Sequence, residues 1–138
     1  MDLDSFVVAQ DDRDTYDRAL SELRAGRKTS HWMWFVFPQV AGLGRSTTAK
    51  HFELAGVDEA RAYLDHEVLG PRLLEGCRAL LALEDATAEQ VLGSVDAMKL
   101  RSSMTLFARA DPDERVFPAV LDRFFDGVPD ERTIRLLG

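Results

Sequence analysis

The sequence contains a single cysteine, Cys77, so an internal disulfide is excluded. No run approaches the roughly 18 consecutive apolar residues that a membrane-spanning helix requires. Residues 1–4 are acidic and lack the basic and apolar regions of a signal peptide. These absences predict a protein of the reducing cytoplasm.

Basic residues are also scarce, since 17 lysines and arginines stand against 24 aspartates and glutamates, for a formal net charge of −7. Nucleic acids and anionic membranes bind basic surfaces, so we expect neither as a partner. The histidines His31, His51 and His66 are dispersed and have no cysteine or carboxylate neighbour at metal-ligand spacing. The sequence therefore predicts no metal and no cofactor, and it leaves monomer and homodimer open.

Signals for β-structure are almost absent. Residues 35–37 have β propensity, but Pro38 ends that stretch, and no hairpin dipeptide of the Asn-Gly type occurs. Helix start and stop signals recur along the chain instead. They predict an all-α fold, a single domain over residues 1–138 that is a compact irregular array of about seven to eight short helices. These cover residues 5–10, 14–25, 59–66, 70–81, 88–92, 96–110, 113–126 and 131–137.

The segment from Ser30 to Gln39, SHWMWFVFPQ, contains both tryptophans of the chain. Aromatic side chains bury large areas, so we expect this segment at the centre of the core. His31 beside it is a candidate general base or ligand-orienting residue, and Trp32 or Trp34 could face a planar ring. The alternative is that both tryptophans only fill the core and that His31 bonds to the backbone at a helix start.

A glycine-rich turn, residues 42–48, follows this segment. Gly42 and Gly44 allow close backbone approach, Arg45 offers a fork of donors, and Ser46 is one of three hydroxyl residues before a possible helix over residues 48–54. The turn matches neither the P-loop nor the dinucleotide-binding pattern. A plain turn with a helix cap is the alternative to an anion site.

A third candidate is the stretch from Lys99 to Phe107. Lys99, Ser102 and Ser103 share one helical face, where an ammonium and two hydroxyls suit a phosphate or a carboxylate. The alternative is a solvated lysine next to small serines that allow close helix packing.

The run over residues 26–46, Lys99 with residues 102–107, and the segment LDRFFDG over residues 121–127 together resemble the DUF1810 family. The resemblance covers essentially the whole chain and implies a small, mainly helical bacterial protein of unknown function. Some sequences of the family carry a calpastatin label, but nothing here resembles an inhibitory repeat. The resemblance supplies no known catalytic residues. It does favour a joint site formed from His31, Trp34, Gln39, Gly42, Gly44, Ser46, Lys99, Ser102 and Ser103.

Our leading hypothesis is a polar cleft for an anionic small metabolite, such as a nucleotide or an ADP-ribose-like compound, with enzymatic activity left open. His31 is the candidate catalytic residue, and we expect it to approach the same cleft as Lys99. A non-enzymatic protein-interaction module that uses an exposed aromatic segment is the alternative, and a purely structural role for both motifs is a third reading. The candidate ligand-binding residues are Trp34, Gln39, Gly42, Gly44, Arg45, Ser46, Lys99, Ser102 and Ser103.

Overall fold

A computed structural model describes residues 3–138, and these residues form helices and no strand. The all-α prediction is therefore confirmed. None of the described helices is long and apolar enough to cross a membrane. The helices are α1 (Asp4–Asp11), α2 (Thr15–Ala25), α3 (Met33–Val36), α4 (Thr47–His51), α5 (Val57–Asp65), α6 (Leu69–Leu81), α7 (Ala88–Leu92), α8 (Ser94–Ala110), α9 (Val116–Phe125) and α10 (Glu131–Leu137).

Helix α8 is the central element of the fold. It is 17 residues long and packs against α5, α7, α9 and α10. Leu100, Met104 and Phe107 on α8 are completely buried. Full burial of each such side chain contributes about 1.5–3 kcal/mol through the hydrophobic effect. Cys77 on α6 lies in the same core, 3.7 Å from the Met104 sulfur, and burial raises the pKa of its thiol.

The sequence signals for helix starts are correct at some helices and displaced at others. The sequence predicts Asp58, Thr87 and Asp130 as helix caps and Asp96 or a neighbour as the start of the long helix. Thr87 forms a full capping box with Gln90, and Asp130 caps α10, so these two predictions are confirmed. Asp58 and Asp96 instead lie inside the first turns of α5 and α8. Their carboxylates there complement the positive end of the helix dipole without capping a backbone N–H.

Helix α3 was not predicted, α4 corresponds to the possible helix over residues 48–54, and the last long helix is shorter than predicted. Helices α3 and α4 comprise four and five residues. Isolated helices of that length are unstable in water, so tertiary packing must hold them. Helix α9 begins at Val116, which places Pro118 in its first turn, where a missing N–H breaks no helical bond.

A buried polar network joins α1, α3, α5 and α6. The Gln10 amide nitrogen donates to the Phe35 carbonyl (2.8 Å) and to the Tyr63 hydroxyl oxygen (3.2 Å). Tyr63 donates to the same carbonyl (3.1 Å), and Arg72 donates to the Gln10 amide oxygen (3.2 Å). Gln10 and Tyr63 therefore satisfy one of the last carbonyls of the short helix α3, which would otherwise be buried without a partner.

We predict that Gln10→Ala lowers the free energy of unfolding by about 2–3 kcal/mol, because it leaves buried polar groups unpaired. Chemical denaturation measures this loss. Val8→Ala is the matched control on the same helix, since Val8 is 68% exposed. The control should change stability by less than about 0.5 kcal/mol. Equal effects of the two substitutions would contradict the network.

Candidate functional site

The carboxylate of Glu22 holds the start of the aromatic segment against α2. It accepts hydrogen bonds from the backbone N–H of Thr29 (2.8 Å) and Ser30 (3.1 Å). It also accepts from the Ser30 hydroxyl (2.6 Å) and from the Trp32 indole N–H (2.9 Å). Four donors on one carboxylate fix both the backbone of this loop and the position of Trp32.

These donors also set the ionisation of Glu22. Burial by itself raises the pKa of its carboxyl group, because it disfavours the charged form. The hydrogen bonds from Ser30, Trp32 and Thr29 stabilise the anion more strongly, so the net pKa falls from 4.5 to about 2. Glu22 is therefore a charged structural group at neutral pH rather than a proton donor.

Two lysines share one aspartate next to this loop, and each lies over a tryptophan. The Lys28 ammonium is 2.9 Å from Asp96 and 5.2 Å from the Trp32 ring centroid. The Lys99 ammonium is 3.6 Å from Asp96 and 5.0 Å from the Trp34 ring centroid. We call these five residues the lysine–tryptophan cluster. Within these five residues two ammonium groups face one carboxylate, and the Glu22 anion that accepts the Trp32 N–H lies just outside the set.

The cluster has a buried inner half and a more open outer half. Trp32 is completely buried, and only 9% of the Lys28 side chain is exposed. Trp34 is partly exposed, and 22% of the Lys99 side chain is exposed. Lys99 is therefore the ammonium of the cluster that a ligand can reach from solvent.

A small crevice adjoins Trp34 on the outer half. Gln39, Gly44 and Glu53 line it, together with Val40, Ala49 and Phe52. Its volume is about 10 Å³, which is room for about one water molecule. A nucleotide does not fit inside this crevice, so a ligand of that size must bind on its rim or widen it.

The glycine-rich turn has clear structural reasons for its residues. Gly42 has φ +102°, a backbone conformation that favours glycine. A Cβ atom on Gly44 would clash with the Cβ of Ala49, so a side chain does not fit there. The Ser46 hydroxyl accepts the Ala49 N–H and caps α4. The turn-plus-cap reading therefore explains these three residues.

Ser102 and Ser103 are not presented to solvent. The Ser102 hydroxyl donates to the Met98 carbonyl (3.1 Å), and its residue is 5% exposed. Ser103 is completely buried, and its hydroxyl has no hydrogen-bond partner among the described residues. In this conformation neither hydroxyl is available to a ligand, and their small size suits close packing around α8.

His31 and Arg45 are exposed, and within residues 3–138 their side chains make no hydrogen bond or ion pair. The side-chain amide of Gln39 also has no partner in that range. Of the sequence-predicted residues, the structure thus places Trp34, Gln39 and Gly44 around one crevice, and the Lys99 ammonium lies over the Trp34 ring. Arg45 has no described contact to them.

Sequence reasoning missed Lys28, Asp96, Glu53 and Glu22. Lys28 lies inside the motif run that begins at Gly26, and Asp96 precedes Lys99 by one helical turn. These two positions in the sequence were the signals that could have identified Lys28 and Asp96 as site residues. The roles of Glu22 and Glu53 depend on contacts between separate segments, which no local spacing reveals. Within the described part of the chain, no group of histidine, cysteine or carboxylate residues could hold a metal ion.

Comparison with known proteins agrees with this fold. Residues 1–137 match the family described as "Protein of unknown function (DUF1810)". The chain belongs to the DUF1810 family. A crystal structure of the conserved hypothetical protein Rv1873 from Mycobacterium tuberculosis, at 1.38 Å, matches this DUF1810 chain with a TM-score of 0.95. The two are 46% identical, and the match covers 99% of this chain and 96% of that chain. No curated protein matches.

We predict that Glu22→Gln destabilises this DUF1810 protein by about 2–3 kcal/mol at pH 7, because the amide lacks the charge that four donors stabilise. A lowered carboxyl pKa adds stability above pH 4.5 that is lost as the pH falls towards about 2. The difference in the free energy of unfolding between variant and parent should therefore shrink as the pH is lowered from 4.5 towards about 2. Urea denaturation at several pH values measures it, with Glu67→Gln as an exposed control whose carboxylate has no partner among the described residues. A pH-independent difference would contradict the assignment.

The two tryptophans should respond differently to substitution. Trp32→Phe removes buried volume and the hydrogen bond to Glu22, so we expect a loss of about 3 kcal/mol in stability. Trp34→Phe keeps a ring under Lys99 at a partly exposed position and should cost less than about 1 kcal/mol. Thermal denaturation of both variants compares the two losses. Similar losses would show that Trp34 is as structural as Trp32.

Proposed function

We propose that this DUF1810 protein binds an anionic small molecule, a nucleotide or an ADP-ribose-like compound, at the outer half of the lysine–tryptophan cluster. The observation that supports this most is the sharing of Asp96 by Lys28 and Lys99. One carboxylate cannot neutralise two ammonium groups, and the less tightly paired ammonium, Lys99, is the accessible one. An anionic ligand would give Lys99 a partner that it does not share with Lys28.

Lys99 is incompletely solvated, which strengthens its attraction for an anion. Two unit charges 4 Å apart interact by about 4 kcal/mol at the effective dielectric constant near a protein surface. Lys99 already lies over an aromatic ring and is mostly covered, so water screens it less than a free surface lysine. A phosphate or carboxylate that reaches Lys99 therefore gains more than it would at an ordinary exposed lysine.

The crevice beside Trp34 offers further contacts close to the Lys99 ammonium, which lies over the Trp34 ring. Gln39 has a free amide that can both donate and accept, and Glu53 can accept a hydrogen bond from a hydroxyl, such as those of a ribose. Lys99 occupies one face of Trp34, so a planar ring can stack on that face only if Lys99 moves. We therefore assign Trp34 first to holding the ammonium and only second to stacking.

His31 remains our candidate base. It follows the loop that Glu22 fixes, and its exposed imidazole has no partner among the described residues, which leaves it free for a ligand. A general base is normally oriented by a second group, and none of the described residues does so here. A catalytic role for His31 therefore requires that the ligand itself orient the ring.

An interaction module built on the aromatic segment has less support. Trp32 and Phe37 are completely buried and Phe35 is 9% exposed, so the segment forms no exposed apolar patch. A purely structural reading accounts for the glycines and serines, but it gives no reason for an accessible ammonium that lacks its own counter-ion.

We predict that a thermal-shift screen of nucleotides, NAD, ADP-ribose and sugar phosphates finds a ligand that raises Tm by several degrees at about 100 times its Kd. Lys99→Gln should weaken its binding at least tenfold, because the anion loses its partner. Lys50→Gln is the matched control, an exposed lysine on α4 with no described ion pair. His31→Ala reports whether the imidazole contacts the same ligand.

A ligand whose binding depends on Lys99 but not on Lys50 supports the proposal. Equal weakening by both lysine variants would indicate non-specific attraction and would reject the site. If none of the compounds shifts Tm at millimolar concentration, the proposed ligand class is wrong.

A further inference from the structure

We propose that the groove between α2 and α6 is a separate anion site, for a small molecule that carries a diphosphate. The groove has a volume of about 570 Å³, within the range of roughly 300–1,000 Å³ that is usual for small-molecule sites. It shares no residue with the lysine–tryptophan cluster. We call it the arginine groove. The residues that line it are Arg24, Pro71, Arg72, Glu75, Arg78, Ala79 and Ala82.

Two of its three guanidinium groups are available to a ligand. Arg24 is 3.9 Å from Glu75, and the two side chains are 63% and 47% exposed, so this ion pair contributes little. Arg78 is exposed and makes no hydrogen bond or ion pair within residues 3–138. Both lie in the last turns of their helices, where they complement the helix dipole and still leave their donor forks open to solvent.

The third guanidinium is held rigidly. Arg72 forms an ion pair with Asp11 (2.9 Å), donates to Gln10 (3.2 Å) and lies 5.0 Å from the Tyr16 ring centroid. These contacts fix a positive group at the rim without a loss of side-chain entropy on binding. Its charge is balanced by Asp11, so the free attraction comes from Arg24 and Arg78.

Glu75, the acidic residue of the groove, is held by Tyr16. The Tyr16 hydroxyl donates to one oxygen of Glu75 (2.6 Å) and also lies 2.8 Å from the Arg72 carbonyl. Glu75 thus offsets the charge of Arg24, its ion-pair partner, and the positive charge of Arg78 remains unbalanced.

The size and charge of the groove select the ligand class. Ala79 and Ala82 in the lining carry no long side chains that would fill the groove. Each guanidinium can bind a phosphate with two parallel hydrogen bonds, and two available groups favour two linked phosphates over one. The chain as a whole carries a net charge of −7, which disfavours long polyanions such as nucleic acids.

The test is a titration of the full chain with inorganic pyrophosphate and orthophosphate, followed by isothermal calorimetry and by backbone amide NMR shifts. We expect pyrophosphate to bind about tenfold more tightly than orthophosphate, with shifts confined to α2 and α6. Arg24→Gln/Arg78→Gln should weaken pyrophosphate binding at least tenfold. The matched control is Arg132→Gln/Arg135→Gln, which removes the same charge from two exposed residues on α10.

The outcomes separate this site from the one around Lys99. Weakening by the α2–α6 double variant alone, with Lys99→Gln unchanged, supports the arginine groove. Loss of binding only in Lys99→Gln assigns the anion to the cluster and overturns the groove. Equal weakening by both double variants shows a net-charge effect, and no binding at 10 mM or roughly that concentration rejects a diphosphate site. Far-UV circular dichroism checks that each variant is folded.

Discussion

The hydrogen bonds to the Glu22 carboxylate are the constraint on which the site depends. They turn the chain after α2 and place Trp32 in the core in a single orientation. A buried carboxylate is tolerated only when donors surround it, and here the loop itself supplies them. The same hydrogen bonds therefore stabilise the Glu22 anion and fix the conformation of the loop. A change in the charge of Glu22 would also change the loop.

The position of this loop sets the geometry of the lysine–tryptophan cluster. Lys28 belongs to the loop, and its backbone N–H donates to the Val91 carbonyl of α7 (2.7 Å). Its ammonium reaches Asp96 at the start of α8. The central helix thus meets the aromatic segment through a charged contact rather than only through apolar packing. Asp96 pairs with both lysines, but Lys28 is buried and Lys99 lies closer to the surface.

The sequence predicts the helical class and several helix ends because these depend on short-range signals. Thr87 and Asp130 act as caps through bonds to residues only three positions away. The aromatic stretch is predicted to be core, and Trp32 and Phe37 are completely buried. Its conformation is not predictable in the same way, since β propensity at residues 35–37 is overridden when the Phe35 carbonyl bonds to Gln10 and Tyr63.

By itself, the sequence determined the all-α class, the core position of the aromatic segment and the family, because composition, helix signals and motif order carry that information. Only the tertiary structure decided which polar residues reach solvent. It places Ser102 and Ser103 in the interior and leaves Lys99 at the surface, although all three are close in sequence. The physical reason is that exposure and charge balance depend on which segments pack together. Asp96 lies one helical turn from Lys99 on α8, but Lys28 reaches Asp96 and Trp34 reaches Lys99 only through that packing.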